Sequence, residues 1–142
     1  MRQKLNLITL GVQDIRRSVK FYEEGLKWKR ARQSMDDLIL YPLGGITLAL
    51  YPVSALSDDV TIPYQSSDFS GLTFSLNAKS EAEVDASMRE AELAGAVIIK
   101  PAQKVFWGGY SGYFKDPDGY LFEIAFNPFW NLDENDNLTW EE

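Results

Sequence analysis

The feature that most narrows the possible folds is an internal echo. The segment LITLGVQ, starting at Leu7, returns as GLTFSLN, starting at Gly71, about 64 residues later. Each copy opens the same order of signals: an apolar strand, an amphipathic helix, then strands that include a hairpin. In the first copy Asp14 stands at an N-cap position. Ile15, Val19, Tyr22 and Leu26 fall on one helix face, and Gly25 supplies a stop. Two strands, 38–43 and 46–51, are then joined through Gly44-Gly45. In the second copy Ser80 and Glu83 form a capping box, and Val84, Met88 and Ala91 line a helix that ends at Gly95. Val97 to Ile99 reads as a short strand, and Asp116-Pro117-Asp118-Gly119 turns a hairpin between strands 113–115 and 120–126.

Each half offers one apolar helix stripe and one half-apolar sheet, so the halves are expected to pack as a pair. The predicted class is α+β: two βαβββ modules forming a curved mixed sheet around a cleft, with helices on the outer face. The chain of 142 residues reads as a single domain. Module one covers about 4–53 and module two about 70–128. A linker rich in Ser, Asp and Pro occupies about 54–69, and a loose acidic tail follows from 129 to 142.

Two absences bound the chemistry. The chain holds no cysteine and no histidine. Thiolate nucleophiles, disulfides, Cys-ligated zinc and iron–sulfur sites are therefore excluded, as is a two-His-one-carboxylate iron centre. Any acid–base work falls to Asp, Glu, Lys or Tyr. With a net charge of -7 and no basic stripe, nucleic acid is not an expected partner. No apolar run approaches the ~20 residues of a membrane span, and the first ten residues lack a signal peptide's apolar region, so the protein is expected to be cytoplasmic and off the membrane.

The stretches LITLGVQDIRRSVKFYEEGLKW, ITLALYP, SGLTFSLNAKSEAEVDASMREAELAGA and YFKDPDGYLFEIAFNP together resemble the vicinal-oxygen-chelate superfamily of glyoxalases, bleomycin-resistance proteins and dioxygenases. The resemblance runs over roughly residues 4 to 128. In metal-dependent members, four strands each offer one ligand to the cleft. The resemblance places those positions on Leu7, Leu48, Gly71 and Glu123. Only Glu123 carries a metal-binding side chain, and a lone carboxylate is not a transition-metal site. No metal and no cofactor are therefore expected.

If Leu7 and Glu123 face the cleft, the two-residue period of a strand sets their neighbours. The cleft side is then expected to carry Leu5, Leu7, Thr9, Ile46, Leu48, Leu50, Gly71, Thr73, Ser75, Leu121, Glu123 and Ala125, while Ile8, Leu10, Val12, Leu72, Phe74 and Leu76 face the helices. Trp107 and Tyr113, from the Gly- and aromatic-rich run 106–113, are expected beside the ligand as a wall that stacks on a planar group. Lys100 and Lys104 flank a Pro-containing loop and read as solvated, the alternative being that either meets an anionic ligand at the cleft mouth. Such a cleft suits a small, largely apolar organic ligand held by a few polar contacts. The leading expectation is a metal-independent small-molecule-binding protein that forms a homodimer. The alternative is a metal-free isomerase or lyase with Glu123 as general acid or base and Thr9, Thr73 or Tyr113 steadying charge. A structural or partner-binding module is the third.

Overall fold

The computed structural model describes residues 1–141. The chain divides into two compact units, one ending at Asp68 and the other beginning at Phe69. Both mix helix with an open mixed sheet, so the fold is α+β built from two related modules.

The first unit begins with β1 (Leu7–Val12), followed by a helix α1 (Ile15–Val19) that widens into a π-helical turn over Lys20–Gly25. The Asp14 carboxylate accepts from the backbone N–H groups of Arg16 and Arg17, as an N-cap should. The π-helical turn shifts the inward face, so Ser18, Phe21 and Tyr22 are the buried residues rather than the full i, i+4, i+7 stripe. Strands β2 (Ile39–Pro42) and β3 (Thr47–Pro52) complete a sheet of order β1-β3-β2. Gly44 and Gly45 both take positive φ, which the tight hairpin between β2 and β3 requires. A βαβββ module leads one to expect a fourth strand here. Between the helix and β2 the backbone instead forms only isolated links, such as Ala31 N–H to the Leu40 carbonyl. The first module is βαββ.

Register corrects one expectation about which side chains share a face. β1 and β3 run parallel with Ile8 opposite Leu48 and Leu10 opposite Leu50. Leu48 and Leu50 therefore join Leu10 and Val12 on the covered face, where they are 2% and 0% exposed. They are core residues, not lining residues. Thr47 and Ala49 stand beside Leu7 and Thr9 instead. On β2, Ile39 and Tyr41 pair with Leu50 and Leu48 and are equally buried. Tyr22, Trp28 and Tyr41 pack ring to ring at 5.2 to 5.8 Å, and Glu23 accepts from both Tyr41 and Arg30 at 3.1 and 2.7 Å.

The stretch expected as a linker opens with a helix, α2 (Val53–Val60). Its end is set by Thr61 in the left-handed conformation (φ 60°), with Ile62 N–H returning to the Ser57 carbonyl. Composition conceals this helix because Ser and Asp are weak helix formers, and what holds it is a tertiary contact. Val53 lies so close to Gly11 that a methyl group there would stand 2.9 Å from its Cγ2 and 3.2 Å from its Cα. Gly11→Ala is therefore expected to destabilise the fold by about 1–3 kcal/mol, read as a lower denaturant midpoint at unchanged slope.

The second unit is the fuller module. Its elements are β4 (Thr73–Ala78), α3 (Glu81–Leu93), β5 (Val97–Lys104), β6 (Tyr110–Lys115) and β7 (Leu121–Phe126), with sheet order β4-β7-β6-β5. Ser80 caps α3 by accepting from Glu83 N–H at 3.1 Å, while the Glu83 carboxylate accepts from Lys79 N–H at 2.7 Å. Helix α3 buries Val84, Met88 and Ala91 against one sheet face, and a methyl group on Gly112 of β6 would stand 2.8 Å from Met88. On that face Phe114 and Phe122 stack in parallel planes at 5.2 Å, and Phe74 lies 5.3 Å from Phe122. In the DPDG turn, the buried Asp116 carboxylate accepts from Asp118 and Tyr120 N–H, both at 2.9 Å, with Gly119 at positive φ.

The tail expected to be loose is instead a small hairpin, β8 (Asn131–Leu132) with β9 (Leu138–Thr139). Asp133 closes its turn by accepting from Asn135 and Asn137 N–H at 2.8 and 2.9 Å. Trp130 and Trp140 meet edge to face at 5.1 Å, and Asp136 pairs with Lys79.

Candidate functional site

The face of the second sheet opposite α3 carries the polar chemistry. Parallel pairing of β4 with β7 sets Ser75 opposite Glu123 and Thr73 opposite Leu121, and antiparallel pairing of β7 with β6 sets Tyr113 opposite Glu123. Ser75 Oγ donates to Glu123 Oε1 at 2.9 Å, and Tyr113 is the residue in register with Glu123 on the other side. One acid is thus held by a hydroxyl donor from one neighbouring strand and faces a tyrosine on the other. A carboxylate offers about four lone-pair sites, so acceptor capacity remains for a ligand's N–H or O–H.

Burial raises the Tyr113 hydroxyl above its ordinary value, and the hydrogen bond to Glu123 and its charge raise it further. Tyr41, buried beside Glu23 in the first unit, is raised as well, again by burial first. A raised folded-state value means that the unfolded chain, near the ordinary ~10, loses its tyrosine protons first as pH increases. The stability is fully present below that point and is lost as pH climbs through the folded-state values. Denaturant midpoints are therefore expected to fall steadily above about pH 10, with a shallower fall in Tyr41→Phe.

Of the residues expected at the site, the second sheet brings together Thr73, Tyr113 and Glu123, with Gly71 just before β4 at positive φ. Leu7 and Thr9 lie on the open face of the first unit's sheet, where Leu7 is 49% exposed. Trp107 departs from its expected part as a wall. Its ring lies on Gly109, where a methyl group would fall 1.7 Å from it, and it closes the turn between β5 and β6. The freely presented aromatic of that turn is Phe106.

Ser75, expected on the cleft side with Thr73, stands opposite Glu123. Lys100 belongs to β5 and pairs with Tyr113, not to a solvated loop. An irregular register between Ile98 and Lys100 puts it there, and no local pattern signals such a bulge. Elsewhere, a hollow of about 640 Å³ beside α2 is lined by Val53, Ser57, Asp58 and Tyr64, none of them an expected site residue.

The donor set does not fit the metal that the fold family implies. The first-unit residues beside Leu7 are Thr9, Thr47 and Ala49, the second-unit position is Gly71, and Glu123 is the one carboxylate on these faces. Among the described residues no three His, Cys, Asp or Glu side chains gather closely enough to share a metal ion. No described helix is long and apolar enough to cross a membrane.

Comparison with known proteins agrees with this architecture. A glyoxalase-related enzyme from Fulvimarina pelagi is 32% identical and superposes with a TM-score of 0.88, covering 99% of this chain and 100% of that one. A glyoxalase/bleomycin resistance protein/dioxygenase from Nocardioides shares the fold at 21% identity, with a TM-score of 0.73 over 89% of this chain and 84% of that one. Metallothiol transferase FosB of Staphylococcus saprophyticus is 29% identical over 124 residues, 87% of this chain and 77% of that protein. Residues 4–124 match the family as a whole, and the chain belongs to the Glyoxalase/Bleomycin resistance protein/Dioxygenase superfamily.

Proposed function

We propose that this chain is a metal-independent small-molecule-binding protein of its superfamily, taking a small, largely apolar organic ligand on the open face around Glu123. The observation that carries this is the Glu123 carboxylate, which accepts from Ser75 and stands opposite Tyr113, with no set of metal donors around it among the described residues. FosB is named as a metallothiol transferase. That chemistry is not carried over, because three of the four positions that the resemblance assigns to metal ligands hold Leu7, Leu48 and Gly71, which supply no strong ligand. The absence of cysteine is compatible with a cytoplasmic setting. Exposed aliphatic side chains at Leu5, Leu7, Leu72 and Leu76 support a homodimer that covers them.

Native mass spectrometry of the purified protein, before and after incubation with zinc, nickel, iron and manganese, tests all of this together. The expected result is a dimer with no stoichiometric metal, with any organic adduct reporting the ligand class. One tightly held metal per chain would overturn the proposal. A metal-free isomerase or lyase is the second reading, favoured by a carboxylate with Tyr113 opposite it in register to steady developing charge. Glu123→Gln separates the two: binding persists with altered affinity in the first, and turnover disappears in the second.

A further inference from the structure

Each strand of the second sheet contributes one polar side chain to a single row across its open face: Ser75 from β4, Glu123 from β7, Tyr113 from β6 and Lys100 from β5. Lys100 reaches the row through a bulge. Ile98 pairs with Phe114 on the covered face, yet Lys100, two residues on, pairs with Tyr113, only one residue back along β6. Strict alternation would have turned Lys100 toward α3. Lys115 stands on the same open face in the adjacent row, two residues beyond Tyr113 and opposite Leu121.

The two ends of this arrangement differ in what they lack. Glu123 accepts from Ser75 and retains acceptor capacity. Among the described residues neither Lys100 nor Lys115 has an ion-pair partner. Neighbouring strands lie about 4.8 Å apart, so the backbones carrying Glu123 and Lys100 are about 10 Å apart. The long lysine stems shorten the gap between charged ends to roughly the length of one ring. Leu121 and the Tyr113 ring provide the apolar surface between them.

A simple anion would leave Glu123 unanswered and meet its repulsion, while a simple cation would do the same to the lysines. We infer that this face recognises a dipolar organic acid. Its ammonium or hydroxyl group donates to Glu123, its carboxylate sits between Lys100 and Lys115, and a ring-sized apolar body lies across Tyr113 and Leu121. This rests on the reading of the Glu123 face as a ligand site, and it adds the ligand's charge pattern and the residues that select it.

The test is a ¹H–¹⁵N NMR titration of the full chain with three probes: 4-(aminomethyl)benzoate, benzylamine and benzoate. The dipolar probe is expected to shift resonances on β4 to β7 and to bind at least about tenfold more tightly than either monofunctional one, the gain from a charge-assisted contact. Lys100→Met is expected to reduce its affinity to that of benzylamine while leaving benzylamine itself unaffected, and Lys115→Met to weaken it less. Equal binding of benzylamine and the dipolar probe, unchanged in Lys100→Met, would overturn the charge pattern and leave the site reading standing. No response of this face to any probe would overturn both.

Discussion

Phe122→Ala is expected to destabilise the protein by about 3–5 kcal/mol, enough to leave a large unfolded fraction at moderate temperature. Phe122 is 2% exposed and sits between Phe74 and Phe114, stacked on the latter with their planes 2° apart. Truncation removes the transfer free energy of a whole ring and opens a cavity between two rings fixed on neighbouring strands, so collapse is limited. One residue further on, Glu123 faces the other way, and Glu123→Gln keeps the shape of the side chain and its contact with Ser75. Urea unfolding of both variants checks the contrast. Similar midpoints for the two would mean that the sheet does not separate a covered face from an open one here.

Gly109→Ala carries the second large effect, about 3 kcal/mol, at the upper end for overpacking. The added methyl would lie 1.7 Å from the Trp107 ring and 2.6 Å from the Phe126 carbonyl oxygen. The ring can swing away, but the carbonyl belongs to β7, which pairs with β6 through this register. A double-mutant cycle with Trp107→Ala divides the strain between the two obstacles. Truncating the tryptophan is expected to recover only part of the loss, because the backbone clash remains. Full recovery would show that β7 yields freely at Phe126.

Much of the fold was legible because its signals are local. Asp14 and Ser80 cap helices through hydrogen bonds spanning two or three residues, and Asp116 and Gly119 shape a turn through contacts within four. The alternation along LITLGVQ and GLTFSLN distinguishes two faces within each strand. In the second module that places Phe74 against Phe122 and Thr73, Ser75 and Glu123 on the other face, whereas Leu72 and Leu76, expected under the helix, are 48% and 40% exposed.

The sequence by itself determined the duplicated strand–helix–hairpin order, the superfamily, and a chain without histidine or cysteine in which Glu123 is the one acid at the positions the resemblance assigns to ligands. Tertiary structure decided which residues accompany that carboxylate. The strand ITLALYP is nearly apolar on both sides, so its own pattern cannot show which side meets Leu7, and pairing in register with β1 sent Leu48 and Leu50 to the core. A one-residue shift exchanges the two faces of a strand, and a bulge makes that shift within one. Helix α2 and the tail hairpin are likewise held by partners outside their own segments, Gly11 and Lys79. Local hydrogen bonds and periodicity are written into neighbouring residues, whereas register is a relation between strands that the chain brings together only when it folds.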